Sequence, residues 1–388
     1  MISFDNTEIA FKGKTDKDLK RAHMLFNLVG KPSLVKIGKV FTPFALKMHL
    51  PIKGLIKSTI FKQFCGGETI EECTQKTIEL ANYGIGTILD YSVEGKTTAE
   101  DFDHTVKEII STVYAAKGNP KIPFAVFKIT GIAEFKKLEN CNQDFNTLNE
   151  EQQYDLKQIM HRVDQIARAA YESNVPLFID AEETWIQDTI DQIAFEMMLK
   201  YNKEKAIIFN TLQMYRHDRI NFLRKAIQQA KEHQLFYGIK LVRGAYMEKE
   251  RERAKEKGYP SPIQPNKEAT DRDFNLALEI ILSELNHLAL CAGTHNEDSS
   301  LLLTTLVDKY QIAKTDSRIY FAQLLGMSDH ISYNLADANY NVAKYVPYGP
   351  VNEVLPYLLR RADENTSVAG QTGRELSLII KERKRRGI

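Results

Sequence analysis

From residue 85 onward, short apolar segments alternate with longer helical patterns, and this alternation constrains the fold more than any other feature. Eight segments are rich in β-branched and aromatic residues, as expected of buried strands. They are 85–92, 123–132, 175–183, 206–215, 236–246, 288–296, 318–327 and 341–349. Eight βα units favour a closed α/β barrel of the (β/α)8 type, which typically needs roughly 250 residues, over a doubly wound sheet.

The remaining segments flank this predicted barrel, which we assign to residues 85–367. Residues 1–84 show helical apolar spacing and are interpreted as an N-terminal helical arm. Prolines within residues 256–271 predict an exposed insertion, with a mobile lid as a further interpretation. Residues 368–388 are a C-terminal basic tail, and its end, 381–388, is expected to be frayed and solvated; attraction to an anionic membrane surface is the alternative.

Composition indicates a soluble globular protein, with 43% hydrophobic and 27% charged residues. The formal net charge of +1 gives no overall field that would favour nucleic acid. The first twenty residues lack the apolar core of a secretory signal and do not form a convincing transit peptide. We therefore expect a cytoplasmic protein, with peripheral association at the inner face of the membrane as a further expectation.

Several site types find no support in the residue spacing. Cys65, Cys73, Cys141 and Cys291 lack CxxC pairing, which argues against structural zinc and a disulfide scaffold. The nine histidines show neither HxH nor HExxH spacing, so a metal site is not expected. The nearest match to a dinucleotide-binding fingerprint, at 83–88, lacks the third glycine and opens a strand, and the sequence contains no P-loop.

Polar side chains recur where seven of the predicted strands end, which is where barrel enzymes place their chemistry. Each has a structural alternative: Lys128 could form an ion pair with Asp180, residues 180–183 could begin a helix, His295 could lie near a helix cap, and Tyr345 could be core. Together they favour an active site over the barrel mouth. The set comprises Lys128, Asp180, Glu182, Glu183, Gln213, Lys240, Arg243, Tyr246, Thr294, His295, Gln323, Leu324 and Tyr345.

Residues 341–367 predict a strand followed by a helix with two adjacent arginines, in which Pro350 suits the first turn. Apolar residues recur on one face. Arg360 can pair with Glu364, so that Arg361 can offer its planar donors to a carboxylate. A solvated charged face is the simpler alternative. The polar face comprises Glu353, Tyr357, Arg360, Arg361 and Glu364.

Cations are expected to face two carboxylates, Asp180 and Glu364, at the barrel mouth, and this excess of positive charge predicts anionic ligands. The cations are Lys128, Lys240, Arg243, Arg360 and Arg361. A phosphorylated cofactor near Arg243 and a carboxylate substrate under Arg360 and Arg361 would satisfy both sets of cations.

Four motifs together resemble proline dehydrogenases over residues 120–367: LVRGAYMEKER (241–251), IDAEE (179–183), GTHN (293–296) and YLLRRADENTS (357–367). The resemblance implies a flavoprotein with a distorted (β/α)8 barrel that binds FAD. It also implies oxidation of L-proline to Δ1-pyrroline-5-carboxylate by hydride transfer to flavin N5, the first step of proline catabolism, with electrons passed to a quinone. The chain ends soon after the arginine helix, so a monofunctional form without an aldehyde dehydrogenase module is expected.

The resemblance also implies residue roles. Arg360 and Arg361 would clamp the proline carboxylate, and the bulk of Tyr345 would disfavour a hydroxylated ring. The other substrate-binding residues would be Lys128, Tyr246, Leu324, Tyr345 and Tyr357. Cofactor contacts would come from Asp180, Gln213, Lys240, Val242, Arg243, Gly244, Thr294, His295 and Glu364. The catalytic set would be Lys128, Asp180, Tyr345, Arg360 and Arg361. Bifunctional bacterial relatives carry arginine in place of Lys240 and lysine in place of Arg243, so the donors around the flavin would differ in detail.

Other functions stay open at this point. A Schiff-base lyase of the aldolase type could use Lys128 or Lys240 as its nucleophile. A non-catalytic anion-binding barrel, a folate-linked flavin reductase and a preference for hydroxyproline are further alternatives.

Overall fold

Eight parallel strands form one closed barrel in the order β1 to β8, as predicted. The computed structural model describes residues 2–29, 53–93, 97–367 and 371–388, with the side chains of residue 29 and of 362–372 outside the description. Each predicted segment contains one strand. The strands are β1 Ile85–Tyr91, β2 Phe124–Phe127, β3 Leu177–Ile179, β4 Ile208–Gln213, β5 Tyr237–Val242, β6 Leu288–Gly293, β7 Ile319–Leu324 and β8 Val342–Tyr348.

Helices precede the barrel and follow its strands. Those of the described residues are α1 Thr7–Ala10, α2 Asp16–Val29, α3 Lys53–Ile56, α4 Lys62–Phe64, α5 Ile70–Ala81, α6 Ala99–Ala116, α7 Phe135–Asn140, α8 Glu150–Ser173, α9 Thr184–Tyr201, α10 Arg219–Glu232, α11 Met247–Lys257, α12 Lys267–Ser283, α13 Glu297–Lys309, α14 Asp329–Asp337, α15 Leu355–Ser367 and α16 Gln371–Arg386. Shorter turns of 3₁₀ helix cover Ile129–Gly131, Phe145–Thr147 and Leu285–His287, and Lys57–Phe61 is π-helical. Within the ranges the structure covers, none of these helices is both long and apolar enough to cross a bilayer.

The chain divides into two compact units, residues 1–94 with 323–388, and residues 95–322. The first unit contains β1 and β8, paired in a register that sets Ile88 beside Tyr345. It also contains the helices at both ends of the chain. The predicted domain boundaries at residues 84 and 367 stay predictions.

The frayed tail expected at 381–388 is wrong, because most of that segment belongs to helix α16. Leu378 and Ile379 of this helix are buried in one apolar cluster with Phe11, Leu19 and other residues of the N-terminal arm. The buried carboxylate of Glu382 accepts hydrogen bonds from Arg385 and Arg386. Apolar burial on one face and pairing of the basic residues therefore stabilise the helix to its end.

The second unit contains β2 to β6 and the first four residues of β7, and aromatic rings fill the barrel near the amino ends of its first strands. The Phe124 and Phe178 rings stack with their centroids 4.4 Å apart, and Phe209 meets Phe178 edge-on at 5.3 Å. Tyr320 of β7 packs edge-on against Phe124 at 4.8 Å. This packing leaves the opposite ends of the strands for polar side chains.

The insertion predicted at 256–271 is only partly exposed. Residues 255–260 are exposed, as expected. Ile263 and Gln264 are buried, however, because Ile263 forms an antiparallel bridge with Arg216 and the Gln264 amide donates to the Tyr215 carbonyl at 2.7 Å. Main-chain pairing with the segment after β4 thus fixes the middle of the insertion.

Asn202, at the end of α9, ties together the amino ends of β4 and β5. Its fully buried side chain donates to the Ile208 and Phe236 carbonyls at 2.8 and 2.7 Å. It accepts from the Ile207 and Ile208 amides at 3.0 and 2.8 Å. These four bonds align two strands whose other ends carry candidate site residues.

We expect Asn202→Ala to lower the free energy of unfolding by about 3 kcal/mol, because buried main-chain groups lose their partners. Denaturant unfolding measures the change. The exposed Asn146 provides the control, and Asn146→Ala should stay within about 0.5 kcal/mol of the wild type. Equal stability of the two variants would contradict this role for Asn202.

Candidate active site

Polar side chains of the second unit collect at the carboxyl ends of its strands, as the sequence predicted. Gln213 is the last residue of β4, and Lys240 lies two residues before the end of β5. The residues that directly follow a strand are Lys128 after β2, Asp180 after β3, Arg243 after β5 and Thr294 after β6. Parallel strands place these ends at one edge of the sheet.

Lys240 and Asp180 form a buried ion pair, with 2.5 Å between Nζ and Oδ1. Lys240 is 6% exposed, and its ammonium lies 5.7 Å from the centre of the Phe178 ring. Sequence reasoning weighed Lys128 as the partner of Asp180, and the structure identifies Lys240 as one partner. The contact fixes both side chains before any ligand binds.

Arg243 is held on three sides. Its Nε donates to Asp271 at 2.6 Å, Nη1 to the Thr294 hydroxyl at 2.6 Å, and Nη2 to the Ser299 hydroxyl at 2.8 Å. The guanidinium also stacks over the Phe274 ring at 4.4 Å. Asp271 and Ser299 were missed because neither lies at a strand end.

Gln213 connects three strand ends. Its Nε2 donates to the Glu182 carbonyl at 2.7 Å, and its Oε1 accepts from the Ala245 amide at 3.3 Å. The neighbouring Gly244 has φ +130°, and a Cβ there would lie 2.6 Å from the Tyr215 ring, so no side chain fits. At Gly244 the protein therefore presents main chain and no side chain, close to Val242 at the end of β5.

His295 is half-buried and lies beside a helix cap without forming it. The cap residue of α13 is Asn296, whose Oδ1 accepts from the Ser299 amide at 2.8 Å. Tyr246 is itself the residue that precedes helix α11. That helix is anchored by Glu250, whose carboxylate accepts 2.7 Å bonds from the Thr184 amide and hydroxyl.

The two arginines of the first unit lie on α15, but this helix begins at Leu355 and not at the predicted Pro350. The Glu353 and Val354 amides donate to the Pro350 carbonyl in a preceding turn. Pro356 occupies the first turn of α15, where its missing N–H costs nothing. Tyr345 also differs from expectation, because it lies inside β8, three residues before the strand ends.

The face of α15 that carries the arginines is not simply solvated. Tyr357 is 5% exposed and Arg361 8% exposed, with the guanidinium 5.0 Å from the centre of the Tyr357 ring. The solvated-face alternative is therefore wrong for these two residues, while Arg360 is half-buried. The side chain of Glu364, and with it the predicted Arg360–Glu364 pair, lies outside the described residues.

An apolar cluster holds this helix. Leu324 packs against the cluster. Tyr345 of β8 is also buried. The cluster comprises Ile56, Phe61, Phe64, Cys65, Met327, Val351, Val354, Tyr357 and Leu358. The arm segment at 56–65 thus supports the arginine helix directly.

All four cysteines are free and buried. Among the residues described, no three His, Cys, Asp or Glu side chains come together in a way that could hold a metal ion.

Glu182, which the sequence placed among the strand-end polar residues with a helix start as the alternative, is a buried carboxyl. It is 3% exposed, and it accepts from the Thr130 amide at 3.1 Å and the Thr130 hydroxyl at 2.5 Å. Burial raises the pKa of Glu182 to about 7, although Lys128 and Thr130 oppose the rise. A carboxyl that titrates near neutrality thus lies beside Lys128.

We expect Glu182 to make stability depend on pH. Because its pKa is higher in the folded chain, its contribution is full below the unfolded pKa of 4.5 and is lost as pH rises through about 7. Between pH 4.5 and pH 8 the free energy of unfolding should fall by about 3 kcal/mol more in the wild type than in Glu182→Gln. Urea titrations at several pH values measure this difference. The exposed Glu204→Gln should follow the wild type, and parallel curves for all three proteins would refute the assignment.

The sequence matches the model of the proline dehydrogenase family over residues 73–374. Proline dehydrogenase 1 of Dictyostelium discoideum is 36% identical over 88% of this chain and 67% of its own. The human proline dehydrogenase 1 is 43% identical over 61% of this chain and 40% of its own. Hydroxyproline dehydrogenase of Xenopus laevis is 31% identical over 99% of this chain and 90% of its own.

These relatives correct one prediction. The proline dehydrogenases of Dictyostelium, human and Arabidopsis thaliana that match this chain are mitochondrial proteins. The cytoplasmic location inferred from the first twenty residues is therefore wrong. The lack of a recognisable leader in those residues was too weak a signal to carry a location.

Solved structures agree on the fold. Proline utilization A from Bdellovibrio bacteriovorus, inactivated by N-propargylglycine, superposes with a TM-score of 0.75 at 19% identity, over 96% of this chain and 40% of its own. The chain spans 67% and 40% of the lengths of the Dictyostelium and human relatives. The family match covers the barrel together with every candidate site residue, and on this basis the chain belongs to the proline dehydrogenases, a family of oxidoreductases.

Proposed function

We propose that this chain oxidises L-proline to Δ1-pyrroline-5-carboxylate, with FAD as cofactor and a quinone as the final electron acceptor. The observation that carries the proposal is Arg361, a guanidinium 8% exposed and stacked on Tyr357 within an apolar cluster. Such a group suits a carboxylate attached to a small apolar ring.

Each substrate group has a matching side chain in the first unit. Arg360 and Arg361 would bind the carboxylate, and the buried Tyr345 and Tyr357, with Leu324, would enclose the ring. The clamp would orient the ring and exclude water from the reacting carbon. The substrate contacts predicted for Tyr246 and Lys128, which belong to the second unit, stay predictions.

The residues of the second unit suit FAD chemically. Lys240 and Arg243 provide cations, Gln213 and Thr294 provide hydrogen-bonding groups, and Gly244 provides main chain that carries no side chain. Asp180, Val242 and His295 belong to the same proposed cofactor set. The cofactor contact predicted for Glu364 of the first unit stays a prediction. When bound, FAD supplies a two-electron acceptor for the hydride of the ring carbon next to nitrogen.

The main role of the protein side chains in this reaction would be to stabilise charge, and proton transfer would be a smaller role. The substrate amine must be neutral to react, and its proton can pass to solvent. Asp180, bonded to Lys240 at 2.5 Å, and Lys128 would adjust the potential around the flavin. An ammonium bonded to a carboxylate is a poor Schiff-base nucleophile, which weighs against the lyase alternative for Lys240.

A quinone acceptor implies contact with a lipid surface, since quinones partition into lipid. Lys384 is exposed on the last turn of α16 and would contribute to such a peripheral contact.

The first experiment records the visible spectrum of the purified protein before and after L-proline is added without oxygen. We expect flavin absorption that bleaches with proline. Arg361→Met should need roughly tenfold more proline for half-bleaching, because the carboxylate loses a guanidinium. The exposed Arg168→Met is the control. A flavin spectrum that proline leaves unchanged discards the substrate, and a colourless protein that cannot be reconstituted with FAD discards the cofactor.

A second experiment addresses the ring. Tyr345→Ser should raise the ratio of kcat/KM for 4-hydroxyproline to that for proline by roughly tenfold, since a smaller side chain leaves space for a hydroxyl. Tyr345→Phe keeps the bulk and should keep the wild-type ratio. Steady-state kinetics with both substrates decide the matter, and identical ratios in all three proteins would show that Tyr345 does not set the preference.

A further inference from the structure

Lys344 of β8 is a fully buried lysine that the proposed function does not use. Its Nζ lies 2.9 Å from Asp329 Oδ1 and donates to the Met327 carbonyl at 2.5 Å and the Leu324 carbonyl at 3.3 Å. An ammonium has three donors, so these three acceptors can satisfy it. A buried charge loses its hydration at a high cost in free energy. The Lys344 ammonium therefore depends on these three particular acceptors.

All three acceptors belong to one turn, residues 324–329, which joins β7 to α14. Other parts of the chain hold the same turn. The Leu325 amide donates to the Tyr345 carbonyl at 2.8 Å, and Gln63 Nε2 donates to the Gly326 carbonyl at 3.0 Å. The Ser328 amide donates to the Glu375 carboxylate. Residues from the N-terminal arm, from β8 and from α16 thus meet at a single turn.

The backbone of this turn requires such support. Gly326 has φ +76°, and a Cβ there would lie 2.2 Å from the Gln63 carbonyl oxygen. Ser328 has φ +49°, although it is not glycine. Conformations of this kind persist where the surroundings determine them.

Two side chains of the turn pack with the apolar cluster that holds the arginine helix. Met327 belongs to the apolar cluster of Tyr357 and Leu358, and Leu324 packs against that cluster. A shift of the turn would therefore move the Met327 and Leu324 side chains beside the arginine helix. Because Leu325 bonds to the Tyr345 main chain, the position of Tyr345 would change with it.

We propose that Lys344 is a positioning residue that sets the shape of the substrate pocket, by holding the 324–329 turn against the arginine helix. The inference rests on the proposed oxidation of proline and adds a specificity determinant to it. Lys344 acts through Leu324 and Tyr345 and does not itself touch the substrate.

The charge arrangement makes the inference testable without unfolding the protein. Asp329 also bonds to Lys14, with 3.1 Å between Oδ2 and Nζ. Burial would raise the pKa of Asp329, but Lys14 and Lys344 hold it well below its usual range. In Lys344→Met, Lys14 still pairs with Asp329, so the carboxylate keeps a partner. Loss of one partner of a buried ion pair destabilises a protein mainly because the other charge is left unpaired, and the Lys14 contact limits that loss here.

The experiment compares wild type and Lys344→Met as FAD-loaded proteins. Substrates are L-proline and its four- and six-membered ring homologues, azetidine-2-carboxylate and pipecolate. We expect KM for proline to rise roughly tenfold, with kcat reduced less than about threefold, and the preference for proline over pipecolate to fall about fivefold. Lys344→Arg, which keeps donors at this position, should recover part of the preference. Calorimetry with the proline analogue that carries oxygen in place of the ring nitrogen measures binding without turnover, and Lys344→Met should weaken it to the same extent as KM.

Lys12→Met is the matched control, because Lys12 forms an exposed ion pair with Asp337 of the same helix, α14, at 2.7 Å. It should leave both parameters unchanged. If Lys344→Met does not fold, Gln63→Met removes a separate bond to the turn and should lower ring preference in the same direction. A folded Lys344→Met with wild-type KM and ring preference overturns the inference, as does an unaffected Gln63→Met where Lys344→Met fails to fold. A wild type that neither oxidises nor binds these ring carboxylates overturns the proposed function as well, so the two failures are distinguishable.

Discussion

Parallel strand pairing determines where charge can lie in this protein. Within the barrel, the main-chain groups of each strand bond to neighbouring strands, and strand interiors are filled by apolar side chains. Phe124, Phe178 and Phe209 close the amino ends of three strands. At the carboxyl ends of β3 and β5, Lys240, Asp180 and Arg243 bring cations and a carboxylate together. Lys344, by contrast, is a cation inside β8 and is bonded to Asp329.

Desolvation explains why these charges occur as bonded groups. Lys240 bonds to Asp180, Arg243 to Asp271, and Lys344 to Asp329. A buried cation without such a partner would destabilise the fold by several kcal/mol. The same contacts fix the side chains in advance of ligand binding, and preorganised dipoles and charges are the main source of transition-state stabilisation in enzymes.

Both ends of the chain contribute to the support of the arginine helix. Phe61 and Phe64 of the arm pack against Tyr357 and Leu358, and Glu375 of α16 binds the turn before α14. Residues far from one another in sequence thus meet around one substructure of the first unit. The arm segment at 56–65 is therefore a structural support of the arginine helix.

The sequence by itself determined the eight strands, because buried parallel strands demand continuous apolar, β-branched segments, and it identified the polar residues at their ends. Only the tertiary structure decided that Asp180 bonds to Lys240, that Glu182 is buried, and that residues 381–388 mostly belong to a packed helix. Periodicity shows which face of a helix or strand is apolar, but not which distant side chain will contact that face. Ion pairing, burial and side-chain pKa depend on these tertiary contacts, which form only when the chain folds.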